Sequence, residues 1–343
     1  MTEDSAGSKT ASQGEMLFNR LCKRERHLKK WAKRTGVEAF RLYDRDIPEI
    51  PLVLDRYGDA VSGALYKRPY QKDDAEEERW LSAMQEAIAG ALGIPPSRIF
   101  LKQRRQQRGN AQYTKMGEIH FTRDVREGGL LFRVNLSDYL DTGLFPDRRR
   151  MRILAGREGS GMRVLNLFCY TAAFSVHAAA GGAAEVDSLD ISNTYLDWGA
   201  LNFSLNGFRA KRVDPRALLE GSGGTGGGKL PPLRLIRADA LGFIDAARRA
   251  RRSWNLIILD PPAFSNSKKM SGTLDLKRDH RELISRTLDL LCPGGKLWFS
   301  ANPRQFRLDR ADFPGVTIED MGPLIIDEDF RGRKLPPCFT FQV

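Results

Sequence analysis

The chain has 343 residues, 41% of them hydrophobic, and its 55 lysines and arginines against 43 aspartates and glutamates give a net charge of +12. A chain of this length is long enough for two domains, and no apolar run approaches the roughly 18 residues of a membrane-spanning helix. The basic balance indicates a polyanionic partner. The scattered cysteines and histidines predict neither disulfides nor a metal site and are typical of a reducing cytoplasm.

The amino-terminal segment divides into two parts. Residues 1–14 are small and polar without an apolar stretch, so they are expected to form a disordered tail and not an export signal. Residues 16–35 have apolar side chains at helical spacing. Basic side chains crowd this predicted helix: Arg20, Lys23, Arg24, Arg26, Lys29, Lys30, Lys33 and Arg34. A solubilising face is the alternative, but the density of one sign of charge favours phosphate binding.

A small basic α+β domain is predicted over residues 15–136. Short strands are expected at 39–43, 52–57, 60–66, 98–103 and 130–136, with a possible strand at 118–126. A helix is expected over 74–92, where Gly93 and Pro95 end it. A second basic cluster contains Arg98, Lys102, Arg104, Arg105, Arg108 and Lys115. This order of elements predicts a separate domain that binds nucleic acid.

From residue 137 onward the predicted elements alternate. After a loop and a basic helix that runs to about Ala155, strands and helices follow one another from Arg163 to Ser300. Such alternation predicts an α/β fold with a parallel sheet and helices on both faces. Two further strands are expected at 316–321 and 338–343.

A glycine-rich segment, residues 221–230, resembles the start of a phosphate-binding loop. Leu230 follows Lys229 where Ser or Thr is needed, no strand precedes the segment, and Pro231 stands where a helix would begin. The composition therefore predicts a flexible surface insertion over about 212–232.

The stretch around Asp260 is the strongest candidate for a reaction site. Residues 255–259 are predicted to form a buried strand, and Pro261 and Pro262 force the chain out of the sheet directly after Asp260. Ligands of α/β sheets bind at the carboxyl ends of the strands. A simple turn with Phe264 covering the core is the alternative.

The strand ends also indicate the ligand. A dinucleotide needs glycines after the first strand, yet none lies between Gly161 and Gly181. S-adenosylmethionine (SAM) has no phosphates to cradle, so it is favoured over a nicotinamide cofactor. Asp190, Asp239 and Asp260 end successive predicted strands, although each alone is also compatible with a helix cap.

Several motifs together resemble the RlmK-type class I methyltransferases, the guanine-N7 half of the fused bacterial RlmKL enzymes that act on 23S ribosomal RNA. The resemblance covers about residues 16–343. It rests on these segments: Leu165-Asn166-Leu167-Phe168-Cys169-Tyr170-Thr171, Asn193-Thr194-Tyr195-Leu196-Asp197-Trp198, Leu205-Asn206-Gly207 and the run from Asp260 to Met270. It implies a Rossmann-like, mostly parallel sheet, SAM as cofactor, 23S rRNA or its precursor particle as partner, and a cytoplasmic location without membrane or metal.

The resemblance also implies roles for individual residues. Those implied to bind the cofactor are Asp147, Arg148, Asn166, Phe168, Tyr170, Thr171, Asp190, Ile191, Asn206, Asp239, Ala240 and Asp260. Those implied to be catalytic are Asp260, Pro261, Pro262, Phe264 and Asn266. Ala172 departs from the family, which usually has glycine there, and the second half of the fused enzymes has no counterpart in this chain.

The residue types can be compared with possible methylation chemistries. Methylation of a pyrimidine at carbon 5 needs a cysteine nucleophile, and neither Asp260–Ala263 nor Phe299–Asn302 contains one. Guanine N7 carries its own lone pair and needs no base. Because N7 lies in the deep groove of A-form RNA, the target is expected to be unpaired or flipped out. Methylation of an exocyclic amine, or an RNA-binding assembly factor with a vestigial SAM pocket, are the alternatives.

Overall fold

The computed structural model describes residues 3–66, 73–103, 119–220, 230–265, 273–302 and 306–343. These residues form two compact units, one of residues 1–129 with 133–146 and the other of residues 130–132 with 147–343. The boundary differs from the expected one at 136. The Tyr57 hydroxyl bonds to Thr142 Oγ1 at 2.8 Å and donates to the carbonyl of Leu144 at 3.0 Å, which holds this loop in the first unit.

The elements follow the chain in this order. The described helices are α1 Glu3–Thr35, α2 Asp74–Leu92, α3 Arg149–Glu158, α4 Ala173–Ala180, α5 Asn193–Leu205, α6 Pro215–Glu220, α7 Ala240–Arg249, α8 Leu276–Leu288 and α9 Gly322–Ile325. The described strands are β1 Ala39–Asp44, β2 Leu52–Tyr57, β3 Ala60–Leu65, β4 Ile99–Gln103, β5 Thr122–Glu127, β6 Leu130–Asn135, β7 Arg163–Leu167, β8 Glu185–Asp190, β9 Lys211–Val213, β10 Leu233–Arg237, β11 Trp254–Leu259, β12 Phe264–Ser265, β13 Leu274–Asp275, β14 Leu291–Ser300, β15 Thr317–Asp320 and β16 Cys338–Gln342.

The first unit is an α+β structure. Its sheet has the order β1-β2-β3-β4, antiparallel except for the parallel pair β3 and β4. The helices α1 and α2 pack against each other, and α1 also contacts β1. Three leucines spaced along α1, Leu17, Leu21 and Leu28, are completely buried, as their helical spacing predicted.

The structure differs from the sequence expectation at the start of α1. The helix begins at Glu3, so residues 3–14 are helical where a disordered tail was expected. One reason lies in the Gln13 side chain, which is 5% exposed and accepts a hydrogen bond from Trp80 Nε1 of α2 at 2.6 Å. A contact between residues 67 positions apart cannot be read from the polar composition of the segment.

The second unit contains an eight-stranded sheet with the order β15-β16-β14-β11-β7-β8-β10-β9. The pairs from β14 to β9 are parallel, whereas β16 is antiparallel to both β14 and β15. Ile257 and Leu259 of β11 pack into one hydrophobic cluster and Leu256 and Ile258 into another. Both faces of β11 are therefore buried, as its apolar run predicted, and the Rossmann-like fold is confirmed.

Register aligns the strand ends that carry the candidate residues. Leu259 lies beside Leu167 of β7 on one side and Phe299 of β14 on the other. The residues that follow, Phe168, Asp260 and Ser300, consequently share one edge of the sheet.

The expected insertion over 212–232 is partly regular. It includes the end of β9, which joins the edge of the sheet, and α6. The glycine-rich residues 221–229 lie outside the described residues. Among the helices that the structure describes, none combines the length and apolar character needed to cross a membrane.

Candidate active site

Asp260 is the first residue after the central strand β11. Pro261 is buried, and its carbonyl accepts a hydrogen bond from Asn302 Nδ2 at 3.3 Å. Pro262 is half-buried, whereas Phe264, in the strand β12 that pairs antiparallel with β13, is 46% exposed. The expected catalytic residue Asn266 lies outside the described residues. The turn thus places a carboxylate and an exposed aromatic ring close together along the chain at the sheet edge.

Two side chains fix the Asp260 carboxylate through the same oxygen. Arg148 Nε donates to Oδ1 at 3.3 Å, and the Ser300 hydroxyl also donates to Oδ1. Arg148 further donates to Asn302 Oδ1 at 3.1 Å and to Asp147 Oδ2 at 3.4 Å. Arg148 therefore connects the segment before α3 to the ends of β11 and β14.

Arg148 is charged although only 3% of its side chain is exposed. Burial acts to lower its pKa, but the charges of Asp260 and Asp147 outweigh burial and raise the pKa above its usual value. Because an unpaired buried charge is costly, Arg148 and Asp260 stabilise each other in this position.

Sequence reasoning placed no functional role on Ser300 and Asn302. Ser300 is the last residue of β14, the strand next to β11, and Asn302 follows it, at 40 and 42 positions after Asp260. The sequence did place Ser300 and Asn302 at the carboxyl end of a predicted strand. Because ligands of α/β sheets bind at such ends, this position could have indicated that they belong to the site.

The structure brings the thiol of Cys338 beside the end of β14. Cys338 of β16 lies opposite Ser300. Burial raises the pKa of its thiol far above the usual range, and the nearby Arg148 opposes this only in part. Burial likewise raises the pKa of Cys169. Neither cysteine supplies the thiolate that carbon-5 methylation of a pyrimidine requires.

The loop after β7 has an unusual backbone. Phe168, Tyr170 and Ala172 have φ values of 56°, 51° and 59°, in the left-handed region that favours glycine. Each such residue costs about 1–2 kcal/mol. The hydrogen bonds that hold the loop include those from Cys169 N to the Leu189 carbonyl at 2.8 Å and from Asn202 Nδ2 to the Thr171 carbonyl at 2.8 Å.

Asp190 at the end of β8 supports the same loop. Its two carboxylate oxygens accept from the backbone N–H groups of Tyr170 at 3.0 Å and Ser192 at 2.9 Å. Burial raises the pKa of Asp190 to about 6, although these hydrogen bonds act in the opposite direction. Ile191, the next residue, is half-buried.

The other expected cofactor residues are placed as follows. Asn166 is 1% exposed and donates to Ser175 Oγ at 2.9 Å. Asn206 brackets the backbone of Leu131, accepting from its N–H at 2.8 Å and donating to its carbonyl at 2.7 Å. Asp239 caps α7, accepting from Gly242 N at 3.1 Å, and Ala240 behind it is buried. The side chains of Asn166, Asn206 and Asp239 therefore all make hydrogen bonds to other groups of the protein.

The residues at the ends of β7 and β8 fit an adenosine ligand without phosphates. Between Gly161 and Gly181 no glycine backbone is available for a pyrophosphate, and the Asp190 carboxylate suits ribose hydroxyls. Among the described residues, no cluster of three or more His, Cys, Asp or Glu side chains is arranged to hold a metal ion.

Comparisons with known proteins indicate the family and the fold. Residues 45–310 match the family model described as S-adenosylmethionine-dependent methyltransferase. The fold is similar to the crystal structure of SMU.776 complexed with SAH (TM-score 0.71, 22% identity, 96% of this chain and 82% of that chain). It is also similar to that of the SAM-dependent methyltransferase from Agrobacterium tumefaciens (TM-score 0.54, 20% identity, 85% and 86%).

Two relatives have much higher sequence identity. Ribosomal RNA large subunit methyltransferase K of Neisseria meningitidis serogroup B is 42% identical over 94% of this chain and 86% of its own length. Methyltransferase K/L of Pseudomonas fluorescens is 42% identical over 94% of this chain, which spans 40% of that longer protein. The chain therefore belongs to the S-adenosylmethionine-dependent methyltransferase family, within the group of ribosomal RNA large subunit methyltransferases K and K/L.

Proposed function

We propose that this protein methylates N7 of an unpaired or flipped-out guanine in 23S ribosomal RNA, free or within a precursor particle in the cytoplasm. The observation that carries the proposal is the fixed Asp260 carboxylate at the sheet edge, beside an exposed Phe264. The names of the two relatives support large-subunit ribosomal RNA as the substrate class.

The chemistry needs little from the protein beyond position. The lone pair of N7 forms the new N–C bond, and the bond from the methyl carbon to the cofactor sulfur breaks. No proton leaves the base, so no general base is required. Orientation of this kind supplies about 7–11 kcal/mol of the barrier reduction. When bound, SAM supplies the electrophilic methyl group.

The purine becomes positively charged as its N7 is methylated. A carboxylate held in place by Ser300 and Arg148 stabilises that charge without having to reorient. Asp260 takes this electrostatic role, and the exposed ring of Phe264 offers a surface on which the base stacks.

Methylation of an exocyclic amine is the second candidate. Asp-Pro-Pro followed by an aromatic residue is also suited to that reaction, in which a carboxylate accepts from the amine. Ala263 separates the prolines from Phe264 by one residue, and this spacing favours N7. The two products have the same mass but separate by chromatography.

The test is mass spectrometry of nucleosides from large-subunit RNA incubated with the protein and SAM. We expect new 7-methylguanosine that Asp260→Ala abolishes. Asp289→Ala, a change at an exposed carboxylate, should leave it unchanged. Formation of N2-methylguanosine instead would show that the exocyclic amine, and not N7, is the methylated atom. Strong activity on intact duplex RNA would contradict the proposal that the target base is unpaired.

A further inference from the structure

The exposed side of α1 is strongly basic and has no part in the proposed reaction. Of the basic residues that crowd the sequence of this helix, two turn toward the fold. Arg20 pairs with Asp46 at 2.7 Å, and Arg24 Nε donates to a backbone carbonyl of β1 at 3.3 Å. The others are exposed, and five of them fall within an arc of about 100° at 3.6 residues per turn. These five form the basic face of α1: Lys23, Arg26, Lys30, Lys33 and Arg34.

No carboxylate neutralises the basic face. The acid within this part of the helix is Glu25, and its Oε1 accepts from Arg56 Nη1 of β2 at 2.6 Å. Within the part of the chain that the structure describes, none of the five cations forms an ion pair. Five like charges along roughly 16 Å of helix therefore create a positive potential that attracts a polyanion.

The packing of α1 fixes the direction of the basic face. Leu21 and Leu28 are completely buried, and Trp31 packs edge-on against Phe40 with 6.1 Å between the ring centroids. All of them belong to the hydrophobic core of the first unit. A helix held by such side chains cannot rotate about its axis, so the row of cations is in place before a ligand binds.

The residue types on this face indicate which polyanion it fits. Proteins that hold single-stranded nucleic acid combine a basic groove with aromatic rings on which the bases stack. Residues 23–34 are all described, and their one Phe, Tyr or Trp is the buried Trp31. Helices that lie on membranes bury their apolar side in lipid, whereas that side of α1 is in the core. Duplex RNA is bound mostly through its phosphates and its shape, which suits an exposed row of cations.

We infer that the basic face of α1 binds phosphates of a double-helical segment of the RNA substrate, separate from the unpaired base that is methylated. A duplex carries about twice the charge per unit length of a single strand, so cations at fixed spacing find more phosphates on it. The inference rests on the proposed RNA substrate and adds that this substrate is partly double-stranded. Such contacts position the RNA but do not read its sequence.

The test compares a hairpin RNA with an unstructured single strand of equal length by fluorescence anisotropy, with the full chain and at one salt concentration. The wild-type protein is expected to bind the hairpin about ten-fold more tightly. Lys23→Glu combined with Arg26→Glu should weaken hairpin binding about a hundred-fold and single-strand binding much less, so that the preference disappears. Arg26→Glu alone should weaken hairpin binding about ten-fold.

Arg79→Glu is the matched control, because it reverses the same charge at an exposed position of α2, a helix whose first turn is acidic. It should bind both RNAs like the wild type. In methylation of large-subunit RNA, the double variant should raise KM for the RNA and leave kcat within about two-fold. The reason is that phosphate contacts stabilise the bound ground state and the transition state equally.

The outcomes separate this surface from the reaction. Equal binding of the two RNAs by the wild type, or a hairpin preference that the double variant retains, overturns the inference. Binding of anionic phospholipid vesicles without a preference for the hairpin would assign the face to a membrane and overturn it as well. If the double variant loses the preference but no protein methylates large-subunit RNA, the basic face stands and the proposed reaction fails.

Discussion

At the scale of single residues, the candidate site depends on the hydrogen bonds that hold Asp260. Arg148 and Ser300 both donate hydrogen bonds to its Oδ1 atom. The proposed stabilisation of a cationic purine requires the carboxylate to be in place before the reaction. Hydrogen bonds to a charged group contribute about 1.5–3 kcal/mol. Loss of one such bond should therefore reduce catalysis more than stability.

We expect Ser300→Ala to lower kcat about ten- to hundred-fold while the Kd for SAM stays within two-fold, roughly. The reason is that Asp260 loses a donor that orients it, whereas the ends of β7 and β8 are unchanged. Steady-state methylation and calorimetric titration measure the two quantities. Ser188→Ala is the matched control, because Ser188 is also fully buried in the sheet but bonds to Ser175. Equal losses in both variants would argue against the positioning role.

The raised pKa of Asp190 predicts how the affinity for SAM depends on pH. Its pKa is about 6, and only the ionised form can accept from two ribose hydroxyls. SAM affinity should be constant above about pH 7 and fall about ten-fold per pH unit well below pH 6, as measured by titration calorimetry. Asp190→Asn should bind weakly at every pH, with a flat profile. A wild-type profile that is equally flat would exclude Asp190 from the cofactor site.

The same pKa has the opposite effect on the stability of the protein without SAM, which decreases as the pH rises. The pKa in the unfolded chain is about 3.9, so the folded protein binds this proton more tightly. The contribution of Asp190 to the free energy of unfolding is therefore largest below about pH 4 and is lost as the pH rises through about 6. Without SAM, Asp190→Asn should reduce this part of the pH dependence, as measured by denaturant unfolding at several pH values.

At the scale of elements, the loop between β7 and α4 combines backbone strain with close packing. The backbone of Ala172 is in the left-handed region, and a Cβ added to Gly199 of α5 would lie 3.0 Å from the Ala172 Cβ. The alanine that replaces the family's usual glycine thus fits because residue 199 has no side chain. The two positions are expected to be coupled.

A double-mutant cycle tests this coupling. Ala172→Gly should raise the free energy of unfolding by about 0.5–1 kcal/mol, because the relief of left-handed strain exceeds the loss of a methyl contact. Gly199→Ala should lower it by about 1–3 kcal/mol through overpacking. The double variant should recover most of that loss. Additive effects in thermal or denaturant unfolding would show that the residues are independent.

How much could be predicted from sequence varies with the physical origin of each feature. The strands β2 and β11 and the helix α2 follow from apolar runs and turn residues, so their predicted positions agree with the structure to within about two residues. The short elements β9 and α6 carry no such pattern. β9 forms by pairing with β10, and α6 packs against α7. A local sequence pattern does not contain these contacts.

The candidate site shows the same division. The carboxylate at the end of β11 was predictable, because prolines and an apolar run mark it. The Arg148 to Asp260 contact was not, since it joins residues 112 positions apart and the resemblance assigned Arg148 to the cofactor. The cofactor roles of Asn166 and Asn206 remain predictions to be tested by substitution.

At the scale of the whole molecule, the charge distribution bears on how the proposed RNA substrate would bind. Lys29, Lys30, Lys33 and Arg34 are exposed on the last turns of α1, within a chain of net charge +12. Phosphate contacts of this kind release counterions and make affinity strongly dependent on salt. They provide affinity without base specificity.

We expect Lys30→Glu combined with Lys33→Glu to weaken RNA binding and to reduce the slope of log affinity against log salt by about 2. Anisotropy titrations at several salt concentrations measure the slope. Lys9→Glu, a reversal in the first turns of α1, where the basic cluster is absent, should leave it nearly unchanged. An unaltered slope in the double variant would show that this face of α1 does not contact RNA.

The pairing of β16 has a consequence for how the protein becomes active during synthesis. β16 lies between β14 and β15, and its first residue, Cys338, is paired with Ser300 beside the Asp260 carboxylate. A ribosome must therefore translate residues 338–342 before the wall of the candidate site is complete. A nascent chain that already has β7 to β11 still lacks this strand, so methylation activity should arise only after residues 338–342 have been translated.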